Sequence, residues 1–396
     1  MSDSYKLATK LIHADDGTRN DSHIAPSISV STTFRDPAPV KLEYGPEPDD
    51  EAAPDRHIYS RYTTPVRTSV ESVLTSLLVR CTRDNLCIGH RGDISALVHT
   101  NPKRLAIKDG YHGVHAAISV YQKTKPELKL IDIDDQFEEG DICWIETPLN
   151  PTGEARNLKH YADKVHAIGG RLIVDSTFGP PPVQDPFEWG ADIVLHSATK
   201  YLGGHSDLLC GVLAVKDLEE WRTLWHNRTF MGNTLGSLEA FLLLRSLRTF
   251  ELRVTRQMAT GSALAQWLHK VSQTPASQSW DGVRGGIIKR VWHATLQEEG
   301  QEWIKKQMPG DGPACFTIML EDENEARLLP YLLKLFAPAT SLGGVESLME
   351  QRFLSDPSSD KRLLRISVGL EDLEDLKNDL RKGFNEVAEK VQERLQ

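Results

Sequence analysis

The sequence predicts an α/β protein built on a mainly parallel sheet, and three observations carry that expectation. Short β-rich runs recur between residues 57 and 250, and helix-like stretches separate several of them. The runs are also apolar nearly end to end, as strands covered on both faces must be. In order they are RLAI (104–107), LKLIDI (128–133), DICWIE (ending at Glu146), RLIVD (171–175), DIVLHS (192–197) and GVLAV (211–215). The stretches 114–125 and 158–168 read as helices between strands, so the connections are expected to be parallel crossovers.

The rest of the chain is placed around this region. Residues 1–56 read as an N-terminal arm, because Asp36 to Pro54 is rich in proline and acidic residues and lacks apolar periodicity. Residues 57–250 form the expected large domain. Residues 251–396 read as a smaller α+β C-terminal domain ending in an amphipathic helix. There Leu373, Leu376, Leu380, Phe384, Val387 and Val391 recur at three- and four-residue steps.

Composition narrows the function. The 396 residues carry a formal net charge of −10, which argues against nucleic acid, since binding it needs a basic surface. No run approaches the ~20 apolar residues of a membrane span, and the N-terminal stretch lacks the apolar core of a signal peptide. Cys81, Cys87, Cys143, Cys210 and Cys315 are scattered without a CxxC pair. A reducing, cytoplasmic setting is the expectation. The histidines show no HExxH or carboxylate-triad spacing, so no metal is expected.

In a doubly wound sheet, ligands sit beyond the carboxyl ends of the strands. DICWIE leads into Asn150, RLIVD ends on Asp175, and DIVLHS runs into Ser197, Thr199 and Lys200 followed by Gly203-Gly204. A carboxylate after three apolar residues is poorly solvated and needs either a cationic partner or a capping role. A lysine just past a buried strand has the converse problem: desolvation lowers its pKa and makes the amine nucleophilic toward an aldehyde. Nearby hydroxyls and a glycine turn suit a phosphate held by short donors.

Together with IYSR (58–61), DGYHG (109–113), ETPLNPTGE (146–154), VDSTF (174–178), HSATKYLGGHSD (196–207), SLGGVES (341–347) and RISVGLED (365–372), these residues resemble the Cys/Met-metabolism family of pyridoxal-5′-phosphate (PLP) enzymes. That family comprises cystathionine γ-synthases, cystathionine γ- and β-lyases and O-acylhomoserine sulfhydrylases, and the chain looks most like its fungal γ-synthase-type members. The resemblance implies PLP-dependent transferase fold type I, like aspartate aminotransferase. It implies Lys200 as the Schiff-base lysine and proton shuttle, and Asp175 as partner of the pyridinium nitrogen. Asn150 would bond the ring's phenolic oxygen. Tyr111 would stack on the ring and assist proton transfer. Ser197 and Thr199 would bind phosphate, with Tyr59 and Arg61 arriving from a neighbouring subunit of a homodimer or homotetramer. Arg365 and Ser341, with Tyr59 and Asn150, would receive the substrate.

Two departures qualify the match. Where the family carries a phosphate loop of small residues, this chain reads Ile88-Gly89-His90-Arg91-Gly92. Gly89 and His90 are the expected cofactor contacts there. Either Arg91 helps neutralise phosphate in a true variant of the loop, or the stretch reflects a local disturbance of the sequence, since the match resumes at Ala96. Thr340 precedes SLGG where γ-synthases and γ-lyases typically have Glu, which bears on substrate choice at Cγ. The expected activity is γ-replacement on an O-acyl-L-homoserine, with cysteine or another nucleophile adding through a vinylglycine-type intermediate. An elimination lyase acting on cystathionine-like amino acids and a non-catalytic member without PLP are the alternatives.

Overall fold

A computed structural model describes residues 5–18, 23–35, 57–79, 86–89 and 92–395. Seven strands form the main sheet: β1 (Leu86–Gly89), β2 (Arg104–Ile107), β3 (Lys129–Ile131), β4 (Ile142–Glu146), β5 (Arg171–Asp175), β6 (Ile193–Ser197) and β7 (Gly211–Val215). Their order is β1-β7-β6-β5-β4-β2-β3, and every neighbouring pair is parallel except those made by β7. β7 runs antiparallel because no helix separates it from β6, and without a crossover the chain can only return beside the strand it left. The long β6–β7 connection is the segment that carries Lys200.

The alternation within each strand explains the apolar runs. Cys143, Ile145, Leu172, Val174 and Val194 enter one core, whereas Ile142, Trp144, Ile173, Ile193 and Leu195 enter another on the opposite face. Helices α1 (Leu7–His13), α2 (Pro65–Leu78), α3 (Gly92–Thr100), α4 (His112–Gln122), α5 (Leu158–His166), α6 (Leu218–Met231) and α7 (Ser237–Leu247) accompany the sheet. α3, α4 and α6 cover the second face and α5 the first. β3 is shorter than the LKLIDI run because it is the edge strand, with Lys129 and Leu130 exposed.

The beginning of the expected arm is structured. α1 packs on α2, Leu11 is buried, and Arg248 donates to the Leu11 carbonyl and to both oxygens of buried Asp15 at 2.8 Å. The proline-rich stretch 36–56 lies outside the described residues.

Beyond the 23-residue α8 (Phe250–Ser272), a hairpin of β8 (Ser279–Trp280) and β9 (Val283–Arg284) precedes a second sheet. That sheet joins β10 (Ile288–Trp292), β11 (Cys315–Leu320), β12 (Leu348–Gln351) and β13 (Leu363–Ser367) in the antiparallel order β10-β11-β13-β12. α9 (Gln301–Gln307) and α10 (Glu323–Leu328) lie between its strands, and the terminal α11 (Leu373–Leu395) buries Leu376, Leu380, Phe384, Val387 and Val391 as its periodicity predicts.

Candidate active site

β4, β5 and β6 end side by side, with Glu146 opposite Asp175 and Asp175 opposite Leu195. This parallel register delivers three polar strand ends to one rim. Asp175 is buried, and Oδ1 accepts from both the amide (2.9 Å) and the hydroxyl (2.6 Å) of Thr177. Burial pushes its pKa up to about 6, against the pull of Thr177 and with a further push from the Asp93 carboxylate. Thr177 Oγ1 also accepts from the Ser197 amide, so one hydroxyl ties β5 to β6.

Glu146 has a different task. Its Oε2 accepts from the Tyr111 amide (2.8 Å) and its Oε1 from the Asn150 amide (2.7 Å). Burial, then the neighbouring Asp175, push its pKa to about 8. Gly110 makes this approach possible: at φ +87° a Cβ there would stand 2.6 Å from Glu146 Oε2.

Lys200 lies in a turn closed by Lys200 N–H to Ser197 O and Gly204 N–H to Lys200 O. The following loop is anchored by buried Arg253, whose guanidinium donates to the carbonyls of Tyr201 and Leu202. Burial, with Arg365 adding to it, lowers the Lys200 pKa to about 8. Its Nζ donates to Ser341 Oγ at 2.8 Å. Ser341 comes from the loop before β12 and holds a left-handed φ of 84°, an uncommon conformation for a residue with a side chain. The loop reaches Lys200 because Gly343, also at positive φ, packs against its backbone; a Cβ there would lie 2.8 Å from Tyr201 N.

Arg365, on β13, completes the cluster. Its Nη1 donates to Asn150 Oδ1 (3.1 Å) and its Nη2 to the Ser341 carbonyl (3.0 Å) and Glu350 Oε2 (2.7 Å). The structure therefore brings Asn150, Lys200, Ser341 and Arg365 into one hydrogen-bonded chain, with Asp175 beside it on the rim. Ser197 and Thr199 are half-buried, and Thr199 Oγ1 accepts from the Cys210 amide while its hydroxyl donates to no partner among the described residues. Thr340 lines a cavity of about 100 Å³ with Pro330, Tyr331, Ala339, Glu350 and Leu354.

Among the described residues, the side chains of the other expected ones are not part of this hydrogen-bonded chain. Tyr111 is 47% exposed, its ring folded over Gly113 and 4.8 Å from the His112 ring. Tyr59 and Arg61 are exposed. Gly89 ends β1 opposite Gly211, and α3 starts at Gly92, while His90 and Arg91 lie outside the described residues. Sequence reasoning missed Thr177, Arg253, Glu350 and a role for Glu146. Among the described residues no group of three or more His, Cys, Asp or Glu is placed to hold a metal, and no helix is long and apolar enough to cross a membrane.

These features define a lysine-centred site, and comparison with known proteins gives its class. The model of the Cys/Met metabolism PLP-dependent enzyme family matches residues 8–385. The chain belongs to that family, and its cofactor is PLP. It is 30% identical to the cystathionine γ-lyase of Dictyostelium discoideum, over 95% of this chain and 97% of that one. It is 35% identical to the cystathionine γ-synthase/O-acetylhomoserine (thiol)-lyase of Bacillus subtilis, over 62% and 61%. The crystal structure of cystathionine γ-synthase from Xanthomonas oryzae pv. oryzae in complex with cystathionine superposes with a TM-score of 0.79 at 26% identity, covering 97% of this chain and 99% of that one.

The residues present fit the cofactor. Asp175 is a buried carboxylate whose Thr177 bonds both fall on Oδ1, and Oδ2 accepts none among the described residues, so a protonated ring nitrogen would supply its missing countercharge. Lys200 offers an amine that burial holds near neutrality. Ser197 and Thr199 offer hydroxyl donors on the same loop.

Proposed function

We propose that this enzyme catalyses γ-replacement on an O-acyl-L-homoserine, with cysteine or another sulfur or carbon nucleophile adding at Cγ. The observation that carries the reading is the chain Lys200–Ser341–Arg365–Asn150, which joins an amine of lowered pKa to a guanidinium able to hold a carboxylate. PLP, when bound, draws electrons from the substrate's Cα and so acidifies its protons.

The remaining steps belong to the chain's own residues. Arg365 holds the α-carboxylate in bidentate fashion, and Asn150 and Ser341 orient its guanidinium. Lys200 Nζ takes the Cα proton and then one from Cβ, and Ser341 Oγ, its hydrogen-bond partner, steers the amine between positions. Loss of the Cβ proton expels the acyl group from Cγ as a carboxylate; the nucleophile then gives up its proton and bonds to Cγ, and Lys200 Nζ returns protons to Cβ and Cα. Asp175 would pair with the ring nitrogen, and Ser197 and Thr199 would take the phosphate. Tyr111 would lie against the ring and assist proton transfer. Tyr59 and Arg61, exposed on one chain, serve the neighbouring subunit's site in a cytoplasmic homodimer or homotetramer.

A γ-elimination reading draws support from the γ-lyase relative, which aligns over nearly the whole chain. A member without PLP would leave Asp175 and Lys200 buried to no purpose, at a cost in stability. Incubation with O-acetyl-L-homoserine and cysteine separates the readings. Replacement gives a thioether and acetate, whereas elimination gives 2-oxobutanoate, ammonia and acetate with cysteine unconsumed.

A further inference from the structure

Glu350 lies opposite Arg365 on the neighbouring strand β12. If the pair stood alone, Glu350 would neutralise the guanidinium that the substrate carboxylate needs. It does not stand alone. Buried Arg352, two residues on, donates from Nη1 to the same Glu350 Oε2 at 3.2 Å, and Ser355 Oγ donates to Oε1. Two buried guanidinium groups thus share one carboxylate, which leaves the cluster one positive charge in excess. Among the described residues Arg352 Nε is buried without a hydrogen-bond partner, so Glu350 is the one carboxylate this guanidinium bonds there. Asp356, the other carboxylate that feels Arg352, is engaged by Ser358 and Ser359.

We infer that Arg352 is a positioning residue: by sharing Glu350's carboxylate it leaves part of Arg365's charge uncompensated and ready for the substrate carboxylate. The inference rests on the reading of Arg365 as the carboxylate clamp. A buried Arg–Glu–Arg cluster with an excess positive charge is completed by the incoming carboxylate, whereas an Arg–Glu pair would already be complete.

The test uses the holoenzyme and two non-reacting probes, butanoate and its neutral analogue butanamide, titrated calorimetrically and as competitors of O-acetyl-L-homoserine. Arg352→Met should weaken butanoate by about tenfold, ~1.4 kcal/mol, and butanamide by less than about twofold. KM should rise with little change in kcat. Arg352→Lys, which keeps the charge, should retain most of the affinity, and the double variant R352M/E350Q should recover it by removing the carboxylate that Arg352 offset. E350Q alone should tighten butanoate, and it decides the matter if R352M does not fold. Unchanged butanoate affinity in R352M, an equal loss for both probes, or no tightening in E350Q would overturn the inference. If Arg365→Lys leaves butanoate binding intact, the clamp reading itself fails.

Discussion

Asp175→Asn separates the cost of a buried carboxylate from its use. Raising an aspartate from its ordinary 3.8 to about 6 means that ionising it in the folded, cofactor-free protein costs ~3 kcal/mol at pH 8. The folded pKa is the higher one, so this carboxyl's contribution is complete below about pH 4 and is lost as pH rises through about 6. Glu146 acts in the same direction up to about 8. The amide is isosteric and its oxygen still accepts from the Thr177 amide, so D175N removes the charge and leaves the packing. Buried His196 and His293, whose pKa values are held down to about 3 and about 4, act in the opposite direction below about pH 6.5. The difference between wild type and D175N in thermal unfolding of cofactor-free protein at fixed concentration, rather than the wild-type curve, therefore isolates Asp175. Relative to the wild type, D175N should lose less stability between pH 5 and pH 8 and melt a few degrees higher at pH 8. With PLP added, the order should reverse, because only the wild type gains a pair for the ring nitrogen. A D175N no more stable than the wild type at pH 8 would refute the electrostatic account of the site.

Other consequences follow from the same geometry. Lys200, lowered to about 8 by burial and Arg365, should react with added PLP at a rate that rises through about pH 8; a midpoint near the ordinary lysine value of 10.5 would contradict it. Gly110→Ala places a Cβ 2.6 Å from Glu146 Oε2 at a positive φ, and should cost roughly 1–3 kcal/mol of stability in denaturant titrations. Gly343→Ala should disturb the loop that presents Ser341 to Lys200 and lower kcat by tenfold or more, read by steady-state turnover, with most of the large sheet's stability intact.

Much of the site was legible because it sits at the ends of local patterns. β4, β5 and β6 are short apolar runs whose last residues are polar, and that pattern alone points to Glu146, Asp175 and Ser197. The motif resemblance then supplied Asn150, Ser341 and Arg365, which the structure joins through hydrogen bonds. What escaped depends on pairing across distant segments. The direction of β7 follows from what is absent between it and β6. The Glu350–Arg365 contact follows from the β12–β13 register, which a stretch such as LMEQRF does not announce. Thr177 and Arg253 look like ordinary polar residues until the carboxylate and the carbonyls they serve are in place. The first residues of the arm fold as α1 because Arg248, far along the chain, offers a partner to Asp15.

The central claim is that Lys200 carries the cofactor, and borohydride reduction of the PLP-loaded protein followed by peptide mass spectrometry tests it most directly. The account predicts a pyridoxyl group on the peptide containing Lys200 and loss of the band near about 420 nm that lysine-bound pyridoxal gives. Label on another lysine, or a PLP-treated protein that never gains the band, would contradict it.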